Sequence, residues 1–107
     1  MAGKTKSSPK VLQVDGLTLD LKSCQVTGDN GTHRLRPMEC RLLKTFMTHP
    51  GKLLSYKFLM EKVWGTDFWE DYGTIQVHVC WLRKKIEKDP RRPRHIRTER
   101  GIGYRFG

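Results

Sequence analysis

No apolar run in the sequence approaches the roughly 20 residues that a membrane-spanning helix needs, and the first residues lack the apolar stretch of a signal peptide. Cysteine is scarce: Cys24, Cys40 and Cys80 are three in number, widely spaced and odd in count. That argues against a disulfide framework and for a reducing, cytoplasmic home. Neither CxxC nor HxxxH spacing occurs, and His33, His49, His78 and His95 fall in separate segments. No metal and no cofactor are therefore expected. No convergent acid, base and nucleophile set appears either, so the chain is not expected to be an enzyme. The scarcest class of all, relative to its opposite, is acid: 11 acidic side chains face 21 basic ones, for a net charge of +10.

What remains is a chain of 107 residues, room for one domain with a single modest core. A hydrophobic content of 36% beside 30% charged residues suits a globular fold. The positive charge is unevenly placed. Residues 11–72 are neutral in balance, whereas residues 73–107 carry ten basic side chains against three acidic ones. Charge concentrated in this way is an electrostatic footprint for a polyanion, most often nucleic acid.

Residues 1–10 are small, polar and basic, with nothing to bury, and read as a flexible tail or linker remnant; residues 11–107 read as the domain. "VLQV", "LTLDL", "CQVT" and "HRLR" have strand character, punctuated by the turn sequences "DG" at 15–16 and "GDNG" at 28–31. They predict a small antiparallel sheet. "PMECRLLKTFMTHPG" follows, with Pro37 at a first helical position and Leu42, Leu43, Phe46 and Met47 at helical spacing. "LLSYKFLMEKVWG" predicts a second helix, capped by Ser55 and stopped by Gly65. A third helix is expected from about Thr74 to Lys88, and "RHIRTERGIGYRF" predicts a hairpin. The predicted order is sheet, three helices, hairpin, with no internal repeat.

The third helix begins with "TIQVHVCWLRKK". At about 100° per residue, Ile75, Val79, Leu82 and Ile86 share a narrow stripe that predicts the core face. His78 and Cys80 are then about 200° apart round the axis, which rules out a thiol–imidazole pair or a two-ligand metal face. The opposite face centres on Val77 and Lys84, with Cys80 and Trp81 beside them and Gln76, His78 and Arg83 toward the flanks. Apolar atoms there can meet thymine methyls, an amide can pair with adenine, and cations can reach phosphates. In the hairpin, Arg100 beside Gly101 places a long cation where it can enter a narrow, electronegative minor groove. Gly101 and Gly103 permit a tight turn. Tyr104 offers a hydroxyl to a phosphate or, equally, packs the hairpin base.

These segments resemble the DNA-binding effector domain of OmpR/PhoB-type response regulators. The "PMExxLL" helix start, "VWG", "VHVxWLRKKIE" and the closing "RGxGYRF" stand in the family's order and spacing, and the likeness spans residues 11–106. It implies an α+β fold, a winged helix-turn-helix with an N-terminal four-stranded antiparallel sheet, three helices and a C-terminal β-hairpin wing. It also implies sequence-specific double-stranded DNA binding and transcriptional regulation within a two-component system. Thr74, Val77, His78, Cys80, Trp81 and Arg83 occupy the family's DNA-facing helix positions. Thr98, Arg100 and Tyr104 match the wing's contacts, and Trp64 stands where the loop begins. "TDFWEDY", with Asp67, Phe68, Trp69, Glu70 and Asp71, corresponds to the loop that meets RNA polymerase. Family members also pair in tandem on repeated half-sites, and answer a sensor kinase through a receiver domain that this sequence does not include.

Four positions depart from the family's pattern. Arg36 replaces the usual capping threonine of the first helix, so that cap is weakened or made otherwise. Gly73 stands where an arginine often clamps phosphate, and Gln76 and Cys80 replace the commoner acidic and basic residues of the reading helix. These departures bear on which DNA sequence is preferred. Two alternatives stay open at this point: a nonspecific nucleic-acid binder, and a module whose main partner is RNA polymerase.

Overall fold

The computed structural model describes residues 10–65 and 72–107. Four strands, β1 (Val11–Val14), β2 (Leu17–Asp20), β3 (Gln25–Gly28) and β4 (Gly31–Arg34), form an antiparallel sheet in sequence order. The Asp15–Gly16 pair closes the first hairpin with both residues at positive φ (55° and 81°), the geometry that "DG" favours between twisted strands. Alternation then turns Leu17, Leu19 and Val26 into the core. The last two strands differ slightly from expectation. Cys24 has left-handed backbone (φ 58°) and belongs to the preceding turn, so β3 begins one residue later. β4 ends at Arg34, and Leu35 leaves the ladder to be buried, its N–H bonded to the Cys24 carbonyl at 2.7 Å.

Helix α1 (Pro37–Met47) starts on Pro37, whose missing N–H costs nothing there, and buries Leu42, Leu43, Phe46 and Met47 as its spacing predicts. The expected second helix is preceded by a short strand, β5 (Leu53–Ser55), that the sequence did not announce. Ser55 is the cap as expected: its Oγ accepts from the Phe58 N–H at 3.1 Å. α2 (Tyr56–Leu59) then widens into a π turn (Met60–Trp64), closed by the Gly65 N–H on the Met60 carbonyl at 2.9 Å.

Helix α3 (Tyr72–Ile86) starts and ends two residues before the span expected of it, and buries Ile75, Val79, Leu82 and Ile86. Just beyond it, the carboxylate of buried Glu87 accepts the backbone N–H groups of Arg94, His95 and Ile96 at 2.7–3.1 Å. One side chain thereby satisfies three buried-end donors and sets the chain's entry into β6 (Ile96–Glu99). β7 (Gly103–Phe106) pairs with β6 on one side and β5 on the other, so the expected two-stranded hairpin is a three-stranded sheet, β5-β7-β6. Gly101 makes the turn at φ 76°. Gly103 has a different duty from the turn role expected of it: a Cβ there would overlap the Leu54 carbonyl, so its bare backbone lets β5 close against β7.

Candidate nucleic-acid interface

α3 is held on the core by its apolar stripe, and its opposite face is open. Gln76, Val77, Cys80 and Lys84 are exposed, with Val77 at 47%. A half-exposed β-branched residue at the centre of a helix face, beside an amide, a thiol and an ammonium, offers groups that can meet base edges and phosphates. Among the described residues no group of three His, Cys, Asp or Glu side chains is placed to hold a metal ion. No helix there is long and apolar enough to cross a membrane. A cleft of about 420 Å³ is lined by residues including Asp15, Glu87, Arg94 and His95, none of them on this face. Within it, His95 Nδ1 lies 2.8 Å from Asp15 Oδ2, and the Glu87 carboxylate is taken up by backbone N–H groups.

The two flanks of the open face are built differently. Toward Gln76, Arg83 leaves the helix for the C-terminal sheet. Its Nε and Nη2 donate to the Ile96 carbonyl at 3.1 and 2.8 Å, and Nη2 also donates to Thr98 Oγ1 at 2.8 Å. The guanidinium stands 5.7 Å from the centroid of the Tyr104 ring. Tyr104 is only 4% exposed, edge-on to Phe46 and Tyr56, and burial, aided by Tyr56, pushes its hydroxyl up to about 12. Of the two roles considered for Tyr104, the structure places it in the hairpin base. Arg100, at the turn, is exposed, as is Ile102 at 51%.

The other flank is a row of rings in edge-on and tilted contact. His78 stands 5.0 Å from Trp64 and 4.9 Å from Trp81. Its Nδ1 is 2.8 Å from the Thr74 carbonyl, and since a carbonyl only accepts, Nδ1 carries the proton. Trp81 continues the row to Arg36, whose guanidinium lies 4.5 Å from the indole centroid. Lys85, on the same flank, is turned inward, bonded to Glu39 Oε1 at 2.8 Å and the Arg34 carbonyl at 3.1 Å. The helix start is fixed by Tyr72 stacked on Tyr56 at 5.5 Å, with Gly73 exposed next to it.

Of the residues singled out from sequence, Gln76, Val77, Cys80 and Lys84 thus share one exposed face. Trp64, Thr74, His78 and Trp81 border it on one side, and Arg83 and Thr98 on the other, where they bond each other. Asp67, Phe68, Trp69, Glu70 and Asp71 lie outside the described residues, as does most of the N-terminal tail. The row of rings ending on Arg36 was not legible from spacing, because Arg36 and Trp81 meet only through the fold.

Residues 30–106 match the family described as "Transcriptional regulatory protein, C terminal". The alkaline phosphatase synthesis transcriptional regulatory protein SphR of Synechococcus elongatus is 47% identical over 100 residues, 94% of this chain and 39% of that protein. The KDP operon transcriptional regulatory protein KdpE of Escherichia coli is 37% identical over 103 residues, 95% of this chain and 45% of its own. The chain thus spans about two fifths of the length of these curated relatives. Among solved structures, the RstA DNA-binding domain of Klebsiella pneumoniae in complex with RstA box superposes with a TM-score of 0.76 at 26% identity, covering 92% of this chain and 97% of that one.

Proposed function

Because this chain belongs to the family of C-terminal domains of OmpR/PhoB-type transcriptional regulatory proteins, we propose that it binds duplex promoter DNA by laying α3 in the major groove and its β6–β7 wing in the adjacent minor groove. The observation that carries this reading is the open α3 face, with Val77 half-exposed at its centre and Gln76, Cys80 and Lys84 around it. Val77 meets apolar base edges, Gln76 and Cys80 set base preference, and Lys84 takes a phosphate. Thr74, His78 and Trp81 contact the backbone along one flank, with Trp64 behind them. Arg100 enters the minor groove from the wing, with Thr98 and Tyr104 supporting it. No catalytic step and no cofactor belong to this function.

As the output part of a response regulator, the domain works in the cytoplasm under a receiver domain and its sensor kinase. It pairs in tandem on half-sites about 10 base pairs apart, and presents residues 66–72, acidic and aromatic, to RNA polymerase. Selection from a random duplex pool at near-physiological salt tests the core of this proposal. The expected result is one enriched motif, arranged as a direct repeat and bound on the order of 10³-fold or more tighter than bulk DNA. Salt-sensitive binding to every duplex alike would leave a nonspecific binder, and no binding at all would move the function to the acidic loop and a protein partner.

A further inference from the structure

The open face of α3 has the wing on one flank; on the other, Lys85 is turned inward, and the exposed cation beside Trp81 is one the family's pattern does not supply. Arg36 sits in extended backbone (φ −69°, ψ 156°) just ahead of α1. Its main-chain N–H is taken by Glu39 Oε1 at 2.7 Å, so the helix start is secured through the backbone and Glu39. The side chain is turned to α3, where the guanidinium lies 4.5 Å from the Trp81 centroid. A ring face attracts the cation without using any of its N–H donors, which stay available to a partner. One nitrogen, Nη1, stands 3.8 Å from Glu39 Oε2, a long contact, and the side chain is 61% exposed. Trp81 is itself braced by His78, and His78 by Trp64 and the Thr74 carbonyl. The cation is therefore the outer end of a braced row of rings.

A helix about 10–12 Å across fills a major groove about 12 Å wide, so its two flanks face the two phosphate backbones. We infer that Arg36, held on Trp81, is a further DNA contact, a clamp on a backbone phosphate on the side of the groove opposite the wing. The inference rests on α3 entering the groove. It also gives the substitution at position 36 a physical sense: a capping hydroxyl is exchanged for a fork-shaped phosphate donor, and Glu39 secures the helix start.

Methylphosphonate scanning of the selected duplex, with salt titrations, tests it on the wild-type chain and on Arg36→Thr and Arg36→Lys. Threonine caps helices well, so Arg36→Thr is expected to melt no lower than wild type. Its affinity is expected to fall on the order of tenfold, with a salt slope shallower by about 0.9, as when one fewer phosphate is neutralised. One neutralised phosphate on the non-wing side should weaken wild type and leave Arg36→Thr unaffected, while Arg36→Lys restores the slope. Wild-type affinity and slope in Arg36→Thr would overturn the clamp. So would a loss of affinity with slope and phosphate pattern unchanged, which would make Arg36 a prop for Trp81. A wild-type chain that selects no site would instead sink the placement of α3, and the clamp with it.

Discussion

Arg83 on α3 and Ile96 on β6, 13 residues apart in the chain, are joined by two hydrogen bonds from one guanidinium to one carbonyl, at 3.1 and 2.8 Å. One side chain, which the sequence alone assigns to DNA, thus ties α3 to β6. Arg83→Lys keeps the charge but cannot bridge the Ile96 carbonyl and Thr98 Oγ1 as the fork does. It is expected to lower stability by about 1–2 kcal/mol. It should also speed amide exchange in β6 and weaken DNA binding together with it. Full affinity in Arg83→Lys would show that charge, and not the strut, is what Arg83 contributes.

Arg100 and Lys84 are expected to fail in different ways. Arg100→Ala should weaken binding by about 1–3 kcal/mol and relax preference at the base pairs under the wing. Lys84→Ala should weaken every sequence alike and reduce the salt slope by about 0.9. Binding curves on the selected site and a scrambled duplex separate the two. A changed base preference in Lys84→Ala would mean that Lys84 reads the groove directly.

The two wing glycines make a paired test of the sheet. Gly101→Ala places a side chain at φ 76° in open space, a conformational cost of about 1 kcal/mol. Gly103→Ala drives a Cβ into the Leu54 carbonyl and forces β5 away from β7. Its cost should exceed that of Gly101→Ala, at about 2–4 kcal/mol. Chemical denaturation measures both, and equal losses would mean that the strands separate without penalty.

Stability should fall at alkaline pH with a definite sign. The Tyr104 hydroxyl is pushed up from 10 to about 12, chiefly by burial. The folded protein therefore holds this proton more tightly than the unfolded chain. The associated stabilisation is complete below pH 10 and is lost as pH rises through 12, amounting to about 2–3 kcal/mol across that window. Cys40 is pushed from 9 to about 12, again chiefly by burial, and adds a decline of the same sign that begins near pH 9. Tyr104→Phe should flatten the upper part of the curve; an unchanged slope in that variant would assign the decline to other groups.

The helices were legible because their signals are local: Leu42, Leu43, Phe46 and Met47 on α1, and Ile75, Val79, Leu82 and Ile86 on α3, repeat within a few turns and are all buried. The open α3 face followed from the same periodicity. β5 was not legible, since three residues carry little alternation and their partner lies some 50 positions later. The same holds for the role of Gly103, for Arg83 as a strut and for Arg36 on Trp81. Each depends on a meeting of segments that spacing along the chain does not encode. Motif spacing marked Tyr104 and left two roles open; only burial places it among Phe46 and Tyr56.

The central strand of the C-terminal sheet is also its last in sequence: Leu53–Ser55 and Ile96–Glu99 can join a sheet only once Gly103–Phe106 lies between them. During synthesis, which delivers the amino-terminal parts first, α3 emerges well before the strand that fixes the wing beside it. A polypeptide cut short at Arg100 would carry the whole reading helix but would lack the strand on which both flanking strands assemble. Such a chain could not assemble the three-stranded sheet β5-β7-β6. The order of the strands makes the wing the last part of this fold to be assembled.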